Sequence, residues 1–136
     1  NVISGNNWSG IRIEGVTATR NTVQGNIIGL NAAGTAPVGN SQEGIEINAG
    51  PDNTIGGNVP AARNVISGNG GIAIDISVAS ATDNVIQGNY IGTNEAGDAI
   101  IANGATPAQF TATGLPPGVT PAMCGRPARI ASYCAA

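Results

Sequence analysis

The run NTIGGNVPAARNVISGNGGIAI, residues 53–74, holds two copies of one short motif and one copy of another. The first motif is the hexapeptide Asn-[Val/Thr]-[Val/Ile]-x-Gly-Asn, and the second is Gly-Ile-x-Ile. The hexapeptide begins at Asn1, Asn21, Asn53, Asn64 and Asn84, and Gly-Ile-x-Ile begins at Gly10, Gly44 and Gly71. Each motif alternates apolar residues over a few positions and is bounded by Gly or Asn, which indicates a very short β-strand.

Strands this short are stable only when copies stack on one another, as they do in solenoids. The order Gly-Ile-x-Ile, hexapeptide and a further Asn-led strand predicts three strands per coil. Complete coils then span about residues 10–43, 44–70 and 71–106, with long turns after the third strand at 30–43 and 93–106. The sequence therefore predicts an all-β fold, a parallel β-helix of about three to five rungs.

Two runs resemble the parallel β-helix repeats of large secreted and surface bacterial proteins. They are the run quoted above, residues 53–74, and NVIQGNYIGTNEAG, residues 84–97. Those repeats belong to the right-handed, pectate-lyase-like superfamily, and the resemblance covers roughly residues 1–104. It implies a right-handed helix and a secreted or cell-surface location. It does not imply one activity, because the superfamily includes lyases, hydrolases, adhesins and structural stalks.

The pattern decays beyond residue 104, where GLPPGVTP at 114–121 interrupts strand pairing because proline cannot donate to a ladder. We divide the chain into a parallel β-helix at 1–111 and an irregular C-terminal cap or tail at 112–136. In that tail Cys124 and Cys134 either form a disulfide or remain two thiols.

Strand alternation predicts which side chains stack inside the helix. The second strand contributes Val23, Ile55 and Ile86, and the third contributes Ile3, Ile28, Ile66 and Ile91. The first strand is predicted to contribute the columns Ile11/Ile45/Ile72/Ala108 and Ile13/Ile47/Ile74/Phe110. At the entry to the third strand, we expect a hydrogen-bonded asparagine ladder of Asn1, Asn26, Asn64 and Asn89.

The composition excludes several kinds of chemistry. The chain has no His, so it cannot form a catalytic triad with His or a histidine metal site. Five Arg, no Lys and a net charge of −3 argue against a nucleic-acid partner. No apolar run is long enough to span a membrane.

The candidate catalytic residues lie on the outward side of the first strand. The predicted outward columns are Arg12/Glu46/Ala73/Gln109 and Glu14/Asn48/Asp75/Thr111. Arg12 and Glu46 are then direct neighbours. Glu14 and Asp75 lie about 10 Å apart across Asn48, near the roughly 6.5–9.5 Å of inverting glycosidases.

The resemblance implies that a substrate groove often crosses this face. The alternative is a solvated strand face with one weak salt bridge between rungs.

The sequence requires no cofactor, although Ca²⁺ is possible at this face or in the turn that holds Asn94, Glu95 and Asp98. Trp8 is expected to pack over the N-terminal coil. The outward residues of the third strand form an apolar stripe, which either the long turns or a partner cover. The stripe consists of Val2, Ile27, Val65 and Tyr90.

Three functions remain open. The favoured one is a structural or adhesive β-helix segment of a larger extracellular bacterial protein, without chemistry of its own, because nearly every common residue serves the stack. The alternatives are a polysaccharide lyase or hydrolase that uses Arg12, Glu14, Glu46 and Asp75, and a non-catalytic carbohydrate-binding module. No N-terminal cap is visible, so we also expect self-association through open β-helix ends or the apolar stripe.

Overall fold

The computed structural model describes residues 1–104, 110–112, 123–126 and 129–133. These residues form short β-strands and one 3₁₀ turn, Pro60–Ala62, and contain no α-helix. The strands are β1 (Val2–Ile3), β2 (Ile11–Glu14), β3 (Thr22–Val23), β4 (Ile27–Ile28), β5 (Ile45–Asn48), β6 (Thr54–Gly56), β7 (Val65–Ile66), β8 (Ile74–Ser77), β9 (Val85–Gln87), β10 (Tyr90–Ile91), β11 (Phe110–Ala112), β12 (Met123–Arg126) and β13 (Arg129–Tyr133). Within this part of the chain, no helix has the length and apolar character needed to cross a bilayer.

From β1 to β11, consecutive strands belong to different sheets, and each of these sheets is parallel. The first-strand sheet has the order β2-β5-β8-β11, the second-strand sheet β3-β6-β9, and the third-strand sheet β1-β4-β7-β10. The chain thus visits the three sheets in turn, which is consistent with a parallel β-helix. The strands β12 and β13 form a separate antiparallel pair, and β13 lies against β9 and β10.

The predicted interior columns of the second and third strands are confirmed. Val23, Ile55 and Ile86 are register partners in one sheet, and Ile3, Ile28, Ile66 and Ile91 are partners in the other. With the first-strand isoleucines, most of them form a single buried cluster, which Ile3 packs against. Burial of each such side chain contributes roughly 1.5–3 kcal/mol, so these columns are the main apolar contribution to stability.

The predicted register of the first strand is wrong at its third rung. Ile45 pairs with Ile74 rather than Ile72, and Ile47 pairs with Ile76. The backbone N–H of Gly44 donates to the carbonyl of Ile72 at 3.0 Å, so Ala73 takes the rung position that Gly71 was expected to occupy. Phe110 pairs with Ile74 as predicted, whereas Ala108 and Gln109 lie outside the described residues.

Stacked asparagines determine this register. The predicted ladder at the entry to the third strand is confirmed, with Nδ2–Oδ1 distances of 3.2, 3.0 and 2.9 Å along its four members. A second ladder, the first-strand ladder, precedes the first strand, with three successive distances of 2.8 Å. It consists of Asn6, Asn40, Asn69 and Asn103. Gly10, Gly44 and Ala73 each follow a ladder asparagine by four residues, which is why they are partners.

A third ladder precedes the second strand and joins Asn21, Asn53 and Asn84. The sequence analysis missed this ladder and the first-strand ladder, although the hexapeptide contains the signal in its two asparagines. The glycine before its second asparagine has a positive φ at Gly5, Gly25, Gly68 and Gly88. Glycine is favoured there because the left-handed backbone that turns the chain into the ladder is costly for other residues.

Another left-handed column follows the first strand. Gly15, Ala49 and Val78 occupy equivalent positions with φ of 92°, 69° and 76°. Only the first is glycine, so the other two carry a steric cost, which is largest for the β-branched Val78.

We expect Asn64→Ala to lower the free energy of unfolding by about 2 to 3 kcal/mol. Asn64 is fully buried; its Oδ1 accepts from the Asn26 backbone N–H at 3.0 Å, and its Nδ2 donates to the Val23 carbonyl at 2.8 Å. The substitution deprives both buried backbone groups of this partner. Urea unfolding followed by circular dichroism measures the loss.

Asn58→Ala is the matched control, because Asn58 ends a hexapeptide copy as Asn26 and Asn69 do but lies exposed, outside every ladder. This control should change stability by less than about 0.5 kcal/mol. Equal losses in the two variants would show that the ladder adds nothing specific.

We expect Val78→Gly to raise the free energy of unfolding by about 1 kcal/mol, because glycine removes the steric cost of the left-handed backbone. Val78 is half exposed, so little packing is lost. The control is Val85→Gly, at a similarly exposed position inside β9, which should destabilise the protein because glycine weakens a strand. The prediction is wrong if both variants lose stability in the same urea titration.

Candidate functional site

The outward face of the first-strand sheet carries the four candidate catalytic residues in two columns. The first column is Arg12, Glu46 and Asp75, and the second begins with Glu14, Asn48 and Ser77. In the β11 backbone, Thr111 is the register partner of Asp75. Arg12 and Glu46 are direct neighbours, as predicted. The predicted separation of Glu14 and Asp75 across Asn48 is wrong, because the corrected register moves Asp75 into the other column, next to Glu46.

Arg12 binds carboxylates on both sides. Its Nη2 donates to Oε1 of Glu14 at 3.1 Å, and its Nε lies 3.5 Å from Oε2 of Glu46. The Arg12 and Glu14 side chains are well exposed, whereas that of Glu46 is only 18% exposed. The Arg12–Glu46 ion pair therefore lies closer to the sheet, where solvent screens it less than the Arg12–Glu14 pair.

Ser9 and Glu43 extend this polar network, and the sequence analysis missed both. The Ser9 hydroxyl lies 3.1 Å from Oε2 of Glu43 and 3.2 Å from Oε2 of Glu46, and its single hydrogen serves one carboxylate at a time. Each residue immediately precedes a Gly-Ile-x-Ile motif, so the motif alignment contained the signal. Glu43 and Glu46 consequently share the Ser9 hydroxyl, and Glu46 is the register partner of Asp75.

Trp8 is 67% exposed, so the expectation that it packs over the N-terminal coil is wrong. It directly precedes Ser9 in the bend that leads into β2. The polar face thus has an exposed indole beside it in the chain, which is the kind of surface on which a sugar ring can stack.

In the turn with Asn94, Glu95 and Asp98, the side chains of Asn94 and Asp98 form hydrogen bonds within the turn. Asn94 Oδ1 accepts from the backbone N–H of Asp98 at 3.0 Å and of Ala99 at 3.2 Å, while Asn94 Nδ2 donates to Asp98 Oδ1 at 2.7 Å. The equivalent turn at 31–36 has the same asparagine geometry without a carboxylate. Asn94 and Asp98 therefore hold the turn together, and its shape does not depend on a cation.

The described residues contain no group of three or more His, Cys, Asp or Glu side chains that could hold a metal ion. Cys124 lies in β12, and Cys134 is outside the described residues, so their pairing remains a prediction.

The apolar stripe of the third-strand sheet has the predicted register but uneven cover. Val65 is buried, whereas Val2 is 48% exposed. Tyr90 packs under the Arg63 guanidinium, whose Cζ is 4.0 Å from the ring centroid, and against the turn at Gly97. The turn that contains Gly97 thus covers one end of the stripe, as expected of the long turns, and Val2 stays exposed at the other end.

Comparison of the chain with protein-family models, with curated proteins and with solved structures gave no significant match.

Proposed function

We propose that the chain is a structural or adhesive segment of a right-handed parallel β-helix, part of a larger secreted or cell-surface bacterial protein and without chemistry of its own. The observation that carries the proposal is the use made of the polar side chains. Eleven of the sixteen asparagines belong to the three ladders. The conspicuous polar repeat of the sequence therefore has a structural use that needs no ligand.

The charged outward face supports the same proposal. Arg12 is engaged by Glu14 and Glu46, and Glu46 also lies beside the Ser9 hydroxyl. Exposed ion pairs of this kind are common on solvated sheet faces and contribute under about 1 kcal/mol each. The resemblance to secreted β-helix proteins supplies the handedness and the extracellular location in this proposal.

An enzyme is the second candidate, supported by the neighbouring carboxylates of Glu46 and Asp75. Adjacent strands lie about 4.8 Å apart. Two carboxyl groups on neighbouring rungs are therefore separated by a distance closer to the roughly 5–5.5 Å of retaining glycosidases than to the roughly 6.5–9.5 Å of inverting ones. The substrate would be a polysaccharide lying along the outward face, with Arg12 and Glu14 beside the reacting bond.

A non-catalytic carbohydrate-binding module is the third candidate, supported by the exposed Trp8 beside this face. Trp8 would stack on a sugar ring while Glu43 and Glu46 accept hydrogen bonds from its hydroxyls.

We expect the purified chain to show neither turnover of polygalacturonate or alginate, with or without Ca²⁺, nor binding on a glycan array. The physical reason is that the Arg12 and Glu14 side chains lie exposed on a flat strand face and bind one another, whereas catalysis requires groups held in place around the substrate. Product formation is followed by reducing-end and unsaturated-product assays.

Matched pairs of variants separate the alternatives. Turnover that disappears in Glu46→Gln but persists in Glu95→Gln, at an exposed turn position, would replace the structural proposal with the enzyme. Glycan binding that disappears in Trp8→Ala but persists in Val59→Ala, at an exposed apolar position, would replace it with the binding module.

We infer that self-association of the chain uses the outer edge of β1. This strand ends the order of its sheet and, among the described strands, pairs only with β4. The open edge of such a strand offers unpaired backbone N–H and C=O groups to a strand of another copy. Val2 on this strand is also 48% exposed, so apolar surface is available for the same contact.

Light scattering over a concentration series tests this inference. β13 lies against β9 and β10 at the other end of the stack, so we expect association only at high protein concentration. Val2→Lys should weaken this association, because it places a charge on the edge strand. Val59→Lys is the control, because Val59 is as exposed as Val2 but lies in the turn before Pro60. A strictly monomeric protein at every concentration, or equal effects of both variants, would contradict the inference.

A further inference from the structure

The first-strand ladder differs from the other two ladders in the residues that follow its asparagines. Asn69 and Asn103 are each followed by glycine, and they form the only two Asn-Gly pairs in the sequence. The asparagines of the other ladders precede Thr, Val, Ile or Tyr. An asparagine before glycine is the most prone to deamidation, because the following nitrogen has no side chain beside it to hinder its attack on the amide carbon.

The glycines are required by packing. A Cβ at Gly70 would lie 2.5 Å from the carbonyl oxygen of Ser41, and a Cβ at Gly104 would lie 2.7 Å from that of Gly71. The equivalent positions after Asn6 and Asn40 hold Asn7 and Ser41, so a side chain is excluded at the two later rungs and not throughout the ladder. On those two rungs the close approach of stacked backbone retains the chemically reactive dipeptide.

The folded structure holds both pairs in an unreactive geometry. The attacking nitrogens are engaged, since the Gly70 N–H donates to the Asn40 carbonyl and the Gly104 N–H to the Asn69 carbonyl, both at 2.8 Å. The two amides are almost inaccessible to water, with 3% exposure at Asn69 and 1% at Asn103. They are also joined to each other by a 2.8 Å hydrogen bond.

We propose that Asn69 and Asn103 are deamidation sites that the fold protects, and that their modification in the unfolded chain makes unfolding irreversible. The glycine nitrogen bonds to Cγ of the asparagine, the bond from Cγ to Nδ2 breaks, and ammonia leaves with the proton of the glycine nitrogen. Water then opens the resulting succinimide at either carbonyl and gives aspartate or isoaspartate. Water is the only co-reactant.

The product does not fit the ladder. Nδ2 of Asn69 donates to the carbonyls of Ile28 and Ser67 and to Oδ1 of Asn103, so a carboxylate oxygen there faces three acceptors. Nδ2 of Asn103 likewise donates to the Ile66 carbonyl at 2.9 Å. A buried charge that faces carbonyl oxygens is strongly unfavourable, and isoaspartate additionally lengthens the backbone and shifts the register.

The test incubates the whole chain at mildly alkaline pH, once in buffer and once in concentrated urea, and follows each asparagine by peptide mass spectrometry. Conversion at residues 69 and 103 is seen as a gain of about one dalton. We expect it to be at least about tenfold slower in buffer than in urea, because only the small fraction of molecules that are locally or globally unfolded can react in buffer. Asn64 and Asn89 should stay unmodified in both samples.

The second readout is refolding. On removal of urea, the fraction that regains native circular dichroism should fall in parallel with conversion at these two sites. Asn69→Asp should reproduce the loss, whereas Asn58→Asp, at an exposed position, should refold like the parent. Equal conversion rates with and without urea, or full refolding of converted chains, would overturn the proposal even if Asn69→Asp fails to fold.

Discussion

The hydrogen bond from one asparagine amide to the asparagine amide of the next rung is the interaction on which this structure depends. In most rungs the side-chain oxygen accepts both from the neighbouring side chain and from its backbone N–H, as Asn64 does from Asn26. Asn84 accepts from the backbone N–H of Asn53. One asparagine side chain can bond to the rungs on both sides of it, because its amide carries a hydrogen-bond acceptor and two donors. The strands contain only a few residues each, so their own pairing fixes little, and the ladders hold the corners that give every rung its register.

The buried ladders also explain why the chain combines so much asparagine with so much isoleucine. Isoleucine columns remove apolar surface from water but slide easily against one another, since one isoleucine fits beside any other. The amide ladders do not slide, because a shifted rung leaves buried amides without partners. Stability thus comes mainly from the apolar columns, and uniqueness from the polar ones.

The candidate site shows how strongly a functional interpretation depends on register. Counting from Gly71 places Asp75 beside Asn48, whereas the structure places it beside Glu46. The same four residues then form a different constellation, with adjacent carboxylates in place of a widely separated pair. Ser9, Glu43 and the exposed Trp8 complete the face, and they were missed because they precede the Gly-Ile-x-Ile motifs from which the outward columns were counted.

The sequence by itself determined the class of structure: stacked short parallel strands, the isoleucine columns of the second and third strands, and the asparagine ladder at Asn1, Asn26, Asn64 and Asn89. These features repeat along the chain, and repetition is visible without coordinates. Only the tertiary structure decided the register of β8, the two further ladders and the composition of the outward face. The reason is physical: Gly71 and Ala73 both offer a small residue before an alternating Ile pair, so the local pattern permits either alignment. The choice is made by Asn69, whose amide meets Asn40 and Asn103 on neighbouring rungs that are far away in the sequence.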